Sequence, residues 1–168
     1  MTFSGGEPLM QAEFLGETLE SLTGVHRAIE TSGFTDTDTY RHIYSLLDFI
    51  IQDIKIFDGD EHRKHIGADN ADILRNAAHL RDGDKPFIIR IPLIPGVTDT
   101  DRNYREIAAF LKGSKALLRV ELLPYLKIAG AKYRMVGRDY APEDFDPERT
   151  VRIDQSVFEE VNIRSSVL

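Results

Sequence analysis

Five polar residues interrupt or close apolar segments of this chain at places where chemistry could be done. Glu30 and Thr31 end the run from Val25, Asp53 and Lys55 end the run from Phe49, and Arg90 stands alone inside Pro86–Ile94. Side chains alternate along a strand, so Asp53 and Lys55 face the same side. A sixth feature is the stretch Ser4-Gly5-Gly6-Glu7-Pro8. Two glycines let backbone carbonyls and amides lie against a ligand, and Pro8 fixes the direction in which the chain leaves. Each feature alone has a structural explanation, an ion pair inside the fold or a proline-capped turn. Together they describe a carbonyl-rich loop for an ammonium, a lysine and an arginine for a carboxylate, and acids for hydroxyls. An amino acid joined to a ribose suits that set.

The elements that must position these residues alternate. Ala12 to Thr23 predicts a helix, with Phe14, Leu15, Leu19 and Leu22 on one side, stopped by Gly24. Val25–Thr31 follows as a strand. A second helix is predicted from Thr37-Asp38-Thr39, carrying Tyr40, Ile43, Tyr44 and Leu47 inward. Phe49–Lys55 is a nearly continuous apolar strand, as expected when both faces are covered. The segment with His62 and His65 among Asp58, Asp60 and Glu61 is expected to be a solvated loop. Asn70 is expected to cap a third helix ending before Gly83. Asp99 or Thr100 caps a fourth, running to about Lys112 after the strand Pro86–Ile94. Leu117–Leu123 is another strand, broken at Pro124. Leu126 to about Arg149 lacks a period and is expected to be a lid or binding segment. Asp154–Glu160 and Asn162–Val167 predict a last helix and strand. Such alternation means an α/β fold with a parallel sheet and helical crossovers, doubly wound or part of a β/α barrel, with chemistry at the C-terminal strand ends.

Composition narrows the function classes. In 168 residues, 28 acids against 21 bases give a formal net charge of −7, which argues against nucleic-acid or anionic-membrane partners. No apolar run reaches a bilayer span and no secretory pattern opens the sequence, so a cytoplasmic location is expected. Cysteine is absent. Thiol catalysis, disulfides and cysteine-held zinc or iron–sulfur clusters are therefore excluded from this polypeptide.

Several motifs in order carry a family resemblance: Ser4-Gly5-Gly6-Glu7-Pro8, Gln52-Asp53-Ile54-Lys55, Arg90-Ile91-Pro92-Leu93-Ile94-Pro95-Gly96, Leu122-Leu123-Pro124-Tyr125 and Gly130-Ala131-Lys132-Tyr133. As a set they resemble radical S-adenosylmethionine enzymes, in particular the activating enzymes of glycyl radical enzymes such as pyruvate formate-lyase. The resemblance implies a single-domain, incomplete β/α barrel of about five units. It implies that the backbone of Gly5, Gly6 and Glu7 receives the amino group of S-adenosylmethionine. Glu30 and Thr31 would lie near that amino group or, with Asp53, near a monovalent cation. Asp53 and Lys55 would hold ribose and carboxylate, Arg90 would reach the same end of the ligand, and Leu123 and the residues after it would lie along the adenine. Leu126 stands where the family usually has histidine.

In the mechanism so implied, a reduced [4Fe–4S] cluster cleaves S-adenosylmethionine to a 5′-deoxyadenosyl radical, which takes a hydrogen from a glycine of the partner enzyme. Flavodoxin or ferredoxin would supply the electron. The CxxxCxxC loop that holds the cluster in the family is not in this sequence. The expectation is a C-terminal part of such an enzyme, with the first β/α unit missing and no activity alone. Such a piece is expected to self-associate through its open edge, at a bare Val25–Thr31 strand and the inward faces of Ile50, Ile54, Ile89 and Ile91. The alternatives are a catalytically dead ligand-binding or partner-docking domain, and a radical enzyme acting on a small molecule.

Overall fold

The computed structural model describes residues 1–124 and 149–168. Six strands form one sheet: β1 (Thr2–Phe3), β2 (Ala28–Thr31), β3 (Phe49–Asp53), β4 (Phe87–Leu93), β5 (Leu117–Pro124) and β6 (Ser165–Val167). Their spatial order is their sequence order, and every neighbouring pair is parallel. Order decides between the two architectures left open above. A doubly wound sheet needs a point where strand order reverses. Right-handed crossovers that always step the same way put every helix on one face. The sheet is therefore an open part of a β/α barrel, with one face under helices and the other corresponding to the barrel interior.

The helical layer contains α1 (Ala12–Ser21), preceded by a 3-10 turn at Pro8–Gln11, then α2 (Thr37–Leu46), α3 (Gly59–Ile66), α4 (Ala71–Asp82), α5 (Asp101–Leu111) and a short α6 (Ser156–Glu159). Local chemistry sets the starts. Asp36, rather than the Thr37-Asp38-Thr39 triplet, caps α2 by accepting from the amides of Asp38 and Thr39. Thr100 caps α5 through Asn103 N–H. Asp58 caps α3, and Gly67 ends it in the left-handed conformation. The segment expected to be a solvated loop is thus a helix, and His62 is buried in it with Nδ1 2.8 Å from the Ala68 carbonyl. Among the described residues no helix is long and apolar enough to cross a membrane.

The core lies between sheet and helices. Ile29, Ile50, Ile54, Ile89, Ile91, Val120 and Leu122 meet Leu15, Leu19, Tyr40, Ile43, Leu80, Tyr104, Ile107 and Leu111 there. Burying each large aliphatic side chain contributes about 1.5–3 kcal/mol. This corrects the expectation that Ile50, Ile54, Ile89 and Ile91 line the interior face. All four are fully buried against the helices. Nor is β2 bare: β1 pairs with it in the register Thr2↔Ala28 and Phe3↔Ile29, and the Met1 carbonyl accepts from Ala28 N–H. The expected lid as far as 148, and the Gly130-Ala131-Lys132-Tyr133 motif, lie outside the described residues.

Candidate functional site

Register brings the strand-end polar residues onto one face. Glu30 lies beside Ile51, Asp53 beside Arg90, and Arg90 beside Glu121. Because in-register neighbours share a face and i, i+2 residues do too, Glu30, Asp53, Lys55, Arg90, Glu121 and Leu123 all stand on the face opposite the helices. Ser4 joins them, its hydroxyl 3.4 Å from Glu30 Oε2.

The charges there are paired. Arg90 Nη1 donates to Glu30 Oε1 at 2.5 Å and Nε donates to Glu121 Oε2 at 2.7 Å. Arg119 donates to the other Glu121 oxygen from Nε and Nη2 at 2.9 and 2.6 Å. Lys55 Nζ donates to Asp53 Oδ2 at 3.2 Å. Burial pushes the Asp53 carboxyl above the ordinary carboxylate range, against the pull of Lys55. Burial also opposes ionisation of Glu121, but hydrogen bonds from Arg90 and Arg119 outweigh it and hold that carboxyl below the usual range. The pairs differ in access. The Glu121 side chain is 2% exposed, while those of Glu30 and Lys55 are 40% and 33% exposed.

The glycine loop sits at the edge of this face. Gly5 has φ +130°, a conformation L side chains rarely adopt. Nothing lies within 4 Å of where a Cβ would sit at Gly5 or Gly6. Among the described residues no hydrogen bond uses the backbone of either glycine. The Glu7 side chain is fully engaged in fixing the loop. It accepts from the Thr31 hydroxyl at 2.5 Å, from Ser32 N–H and hydroxyl at 2.8 and 2.5 Å, and from Leu9 N–H at 3.1 Å. Thr31 therefore points to the helical side, away from Glu30, and the two residues do not form a side-chain pair. The turn after it is equally fixed. Gly33 has φ +75°, and a Cβ there would fall 2.6 Å from the Gln52 amide.

Buried polar side chains that no sequence pattern marks complete the support. Asn103 donates to the Lys55 and Thr98 carbonyls and accepts from Phe57 N–H, while Asn70 donates to the Ile56 and Phe57 carbonyls. These two side chains pin the segment that presents Lys55. Asn70 holds the N-cap position of α4, as expected, but its side chain makes no capping hydrogen bond. Gln52, at 0% exposure, accepts from the Tyr40 hydroxyl and donates to the Ile73 carbonyl. Glu121 was the one visible clue, a lone carboxylate in an apolar strand. Leu123 is partly exposed opposite Pro92, and Leu126 lies outside the described residues. Among those residues no group of three or more His, Asp or Glu is arranged to hold a metal.

The open, one-directional parallel β/α sheet matches a partial radical S-adenosylmethionine barrel. The chain matches the crystal structure of a domain of pyruvate-formate lyase-activating enzyme from Bacteroides vulgatus ATCC 8482 with a TM-score of 0.75 and 25% identity, covering 100% of this chain and 98% of that one. It is 36% identical over 148 residues to the 4-hydroxyphenylacetate decarboxylase activating enzyme of Clostridioides difficile, spanning 86% of this chain and 46% of that protein. It is also 36% identical over 155 residues to the pyruvate formate-lyase-activating enzyme of Staphylococcus epidermidis, spanning 88% of this chain and 62% of that protein. No family model matches. By sequence and by fold the chain is a homologue of the glycyl radical enzyme activating enzymes, within the radical S-adenosylmethionine superfamily. It spans about half the length of the first of these relatives.

Proposed function

We propose that this chain is the S-adenosylmethionine-binding part of a glycyl radical enzyme activating enzyme. The observation that carries this is the gathering of Glu30, Asp53, Lys55 and Arg90 on one face beside a glycine loop whose backbone has no hydrogen-bond partner among the described residues, in a homologue of such enzymes. The residues fit the ligand. The Gly5 and Gly6 carbonyls and the accessible Glu30 carboxylate suit an ammonium. Lys55 and Arg90 suit a carboxylate, Asp53 suits ribose hydroxyls, and Leu123 offers an apolar surface to a base.

They do not fit an iron–sulfur cluster, because the chain has no cysteine. Cluster ligands would come from a CxxxCxxC segment outside this sequence. Bound to such a cluster and given one electron by it, S-adenosylmethionine would supply the radical that removes a glycine hydrogen. What these residues contribute is binding, orientation and charge. The partner would be a glycyl radical enzyme of the kinds named for the relatives, with flavodoxin or ferredoxin as electron donor.

Joining a CxxxCxxC-bearing segment ahead of Met1, reconstituting with iron and sulfide and assaying 5′-deoxyadenosine tests the proposal. Release that falls by tenfold or more in Lys55→Ala and Arg90→Ala proteins supports it. A joined protein that holds a cluster and binds S-adenosylmethionine but releases nothing returns the chain to the class of ligand-binding domains.

A further inference from the structure

We infer that Glu121 is a positioning residue, which holds Arg90 so that its guanidinium meets the carboxylate of the ligand; this rests on the S-adenosylmethionine site proposed above. Glu121 stands beside Arg90 in the β4–β5 register and takes Arg90 Nε at 2.7 Å. Its other oxygen is taken by Arg119, and the side chain is 2% exposed, so water does not compete for either. A buried carboxylate with both oxygens engaged is a fixed point. Glu30, the second partner of Arg90, is 40% exposed and is held by one guanidinium N–H and a 3.4 Å hydroxyl contact.

The two carboxylates on Arg90 thus have different tasks. Glu30 can be exchanged for an incoming carboxylate, because its charge is solvated or taken up by the ligand ammonium when Arg90 turns to the ligand. Glu121 cannot be exchanged. Arg90 Nη2 has no partner among the described residues, and with Nε fixed, Nη1 and Nη2 are the donors left for a ligand. Without Glu121 the long arginine side chain loses its anchor, and Glu30 becomes its main partner. A role in folding alone would affect all ligands of the site equally, whereas a role through Arg90 affects those that carry a carboxylate.

Calorimetric titration of the 168-residue chain with S-adenosylhomocysteine, which has the amino-acid carboxylate, and 5′-methylthioadenosine, which lacks it, separates these roles. Glu121→Gln is expected to weaken S-adenosylhomocysteine about tenfold and to leave 5′-methylthioadenosine within twofold. Adding Arg90→Gln to Glu121→Gln should cost little more, since both remove one contact. Equal weakening of both ligands, or of neither, overturns the positioning role while leaving the site intact. A wild-type chain that binds neither overturns the site itself and this role with it. Where Glu121→Gln does not fold, Glu121→Asp keeps the charge but draws the carboxylate back by one methylene, and the same two-ligand comparison decides.

Discussion

Removing the Glu7 carboxylate should unfasten the glycine loop from the end of β2. In the structure it accepts from the Thr31 hydroxyl, the Ser32 amide and hydroxyl, and the Leu9 amide, at 2.5 to 3.1 Å. Hydrogen bonds to a charged group are worth about 1.5–3 kcal/mol each when measured singly. Four that share one carboxylate are not additive, and water replaces some of them in the variant. Glu7→Ala is therefore expected to lose about 3 kcal/mol, which in a chain of this size lowers Tm by about 6–12 °C. Glu7→Gln keeps one acceptor oxygen but sets an amide NH2 near the Ser32 N–H, and should lose about half as much. Urea denaturation gives the free energies, and amide exchange at Ser32 reports the clasp itself. An alanine variant with the wild-type midpoint and an equally protected Ser32 amide would refute the assignment of Glu7 to holding the loop.

Three further outcomes follow from the same geometry. Burial raises the Asp53 pKa, so its stabilising contribution is fully present only below the unfolded value of about 4 and is lost as pH rises through the folded value; Asp53→Asn should be at least as stable as wild type at pH 7, with less loss of stability above pH 4, yet bind S-adenosylhomocysteine more weakly, and a clear drop in Tm would contradict this. Asn103→Ala strips partners from the Lys55 and Thr98 carbonyls and Phe57 N–H, and should cost about 2–4 kcal/mol by denaturant titration; a cost below about 0.5 kcal/mol would show that water replaces the side chain. Without cysteine, the chain alone should take up no thiolate-bound cluster on anaerobic reconstitution, and the visible absorption of a bound cluster tracking this polypeptide would count against the reading.

Much of the site could be read in the sequence because charges inside apolar strands are conspicuous. Arg90, Asp53 and Lys55 were found that way, and the structure puts them on one face. The sidedness of the neighbouring isoleucines is not legible for a related reason. Pairs such as Ile50-Ile51 and Ile88-Ile89 are apolar on both faces, so a period of two carries no direction. Arg90 itself held the missing information, since Ile89 and Ile91 flank it and must point the other way. The pairing of Glu121 carries no such signal, because its partner Arg90 lies 31 residues away in sequence and only the β4–β5 register joins them. Thr31 follows Glu30 directly and for that reason cannot share its face. The helix at Gly59–Ile66 was hidden by its charge: only His62 is buried, so its amphipathic stripe is one residue wide.

If the face opposite the helices receives S-adenosylmethionine, NMR mapping of amides and side chains will locate the ligand there. On titration of the isotopically labelled chain with S-adenosylmethionine, the largest shifts should fall on the amides of Gly5 and Gly6 and on Glu30, Asp53, Lys55 and the Arg90 guanidinium. The α1 and α2 surface, around Glu13, Glu17, Asp38 and His42, should stay unchanged. Shifts confined to that helical surface, or none at millimolar ligand, would contradict the account.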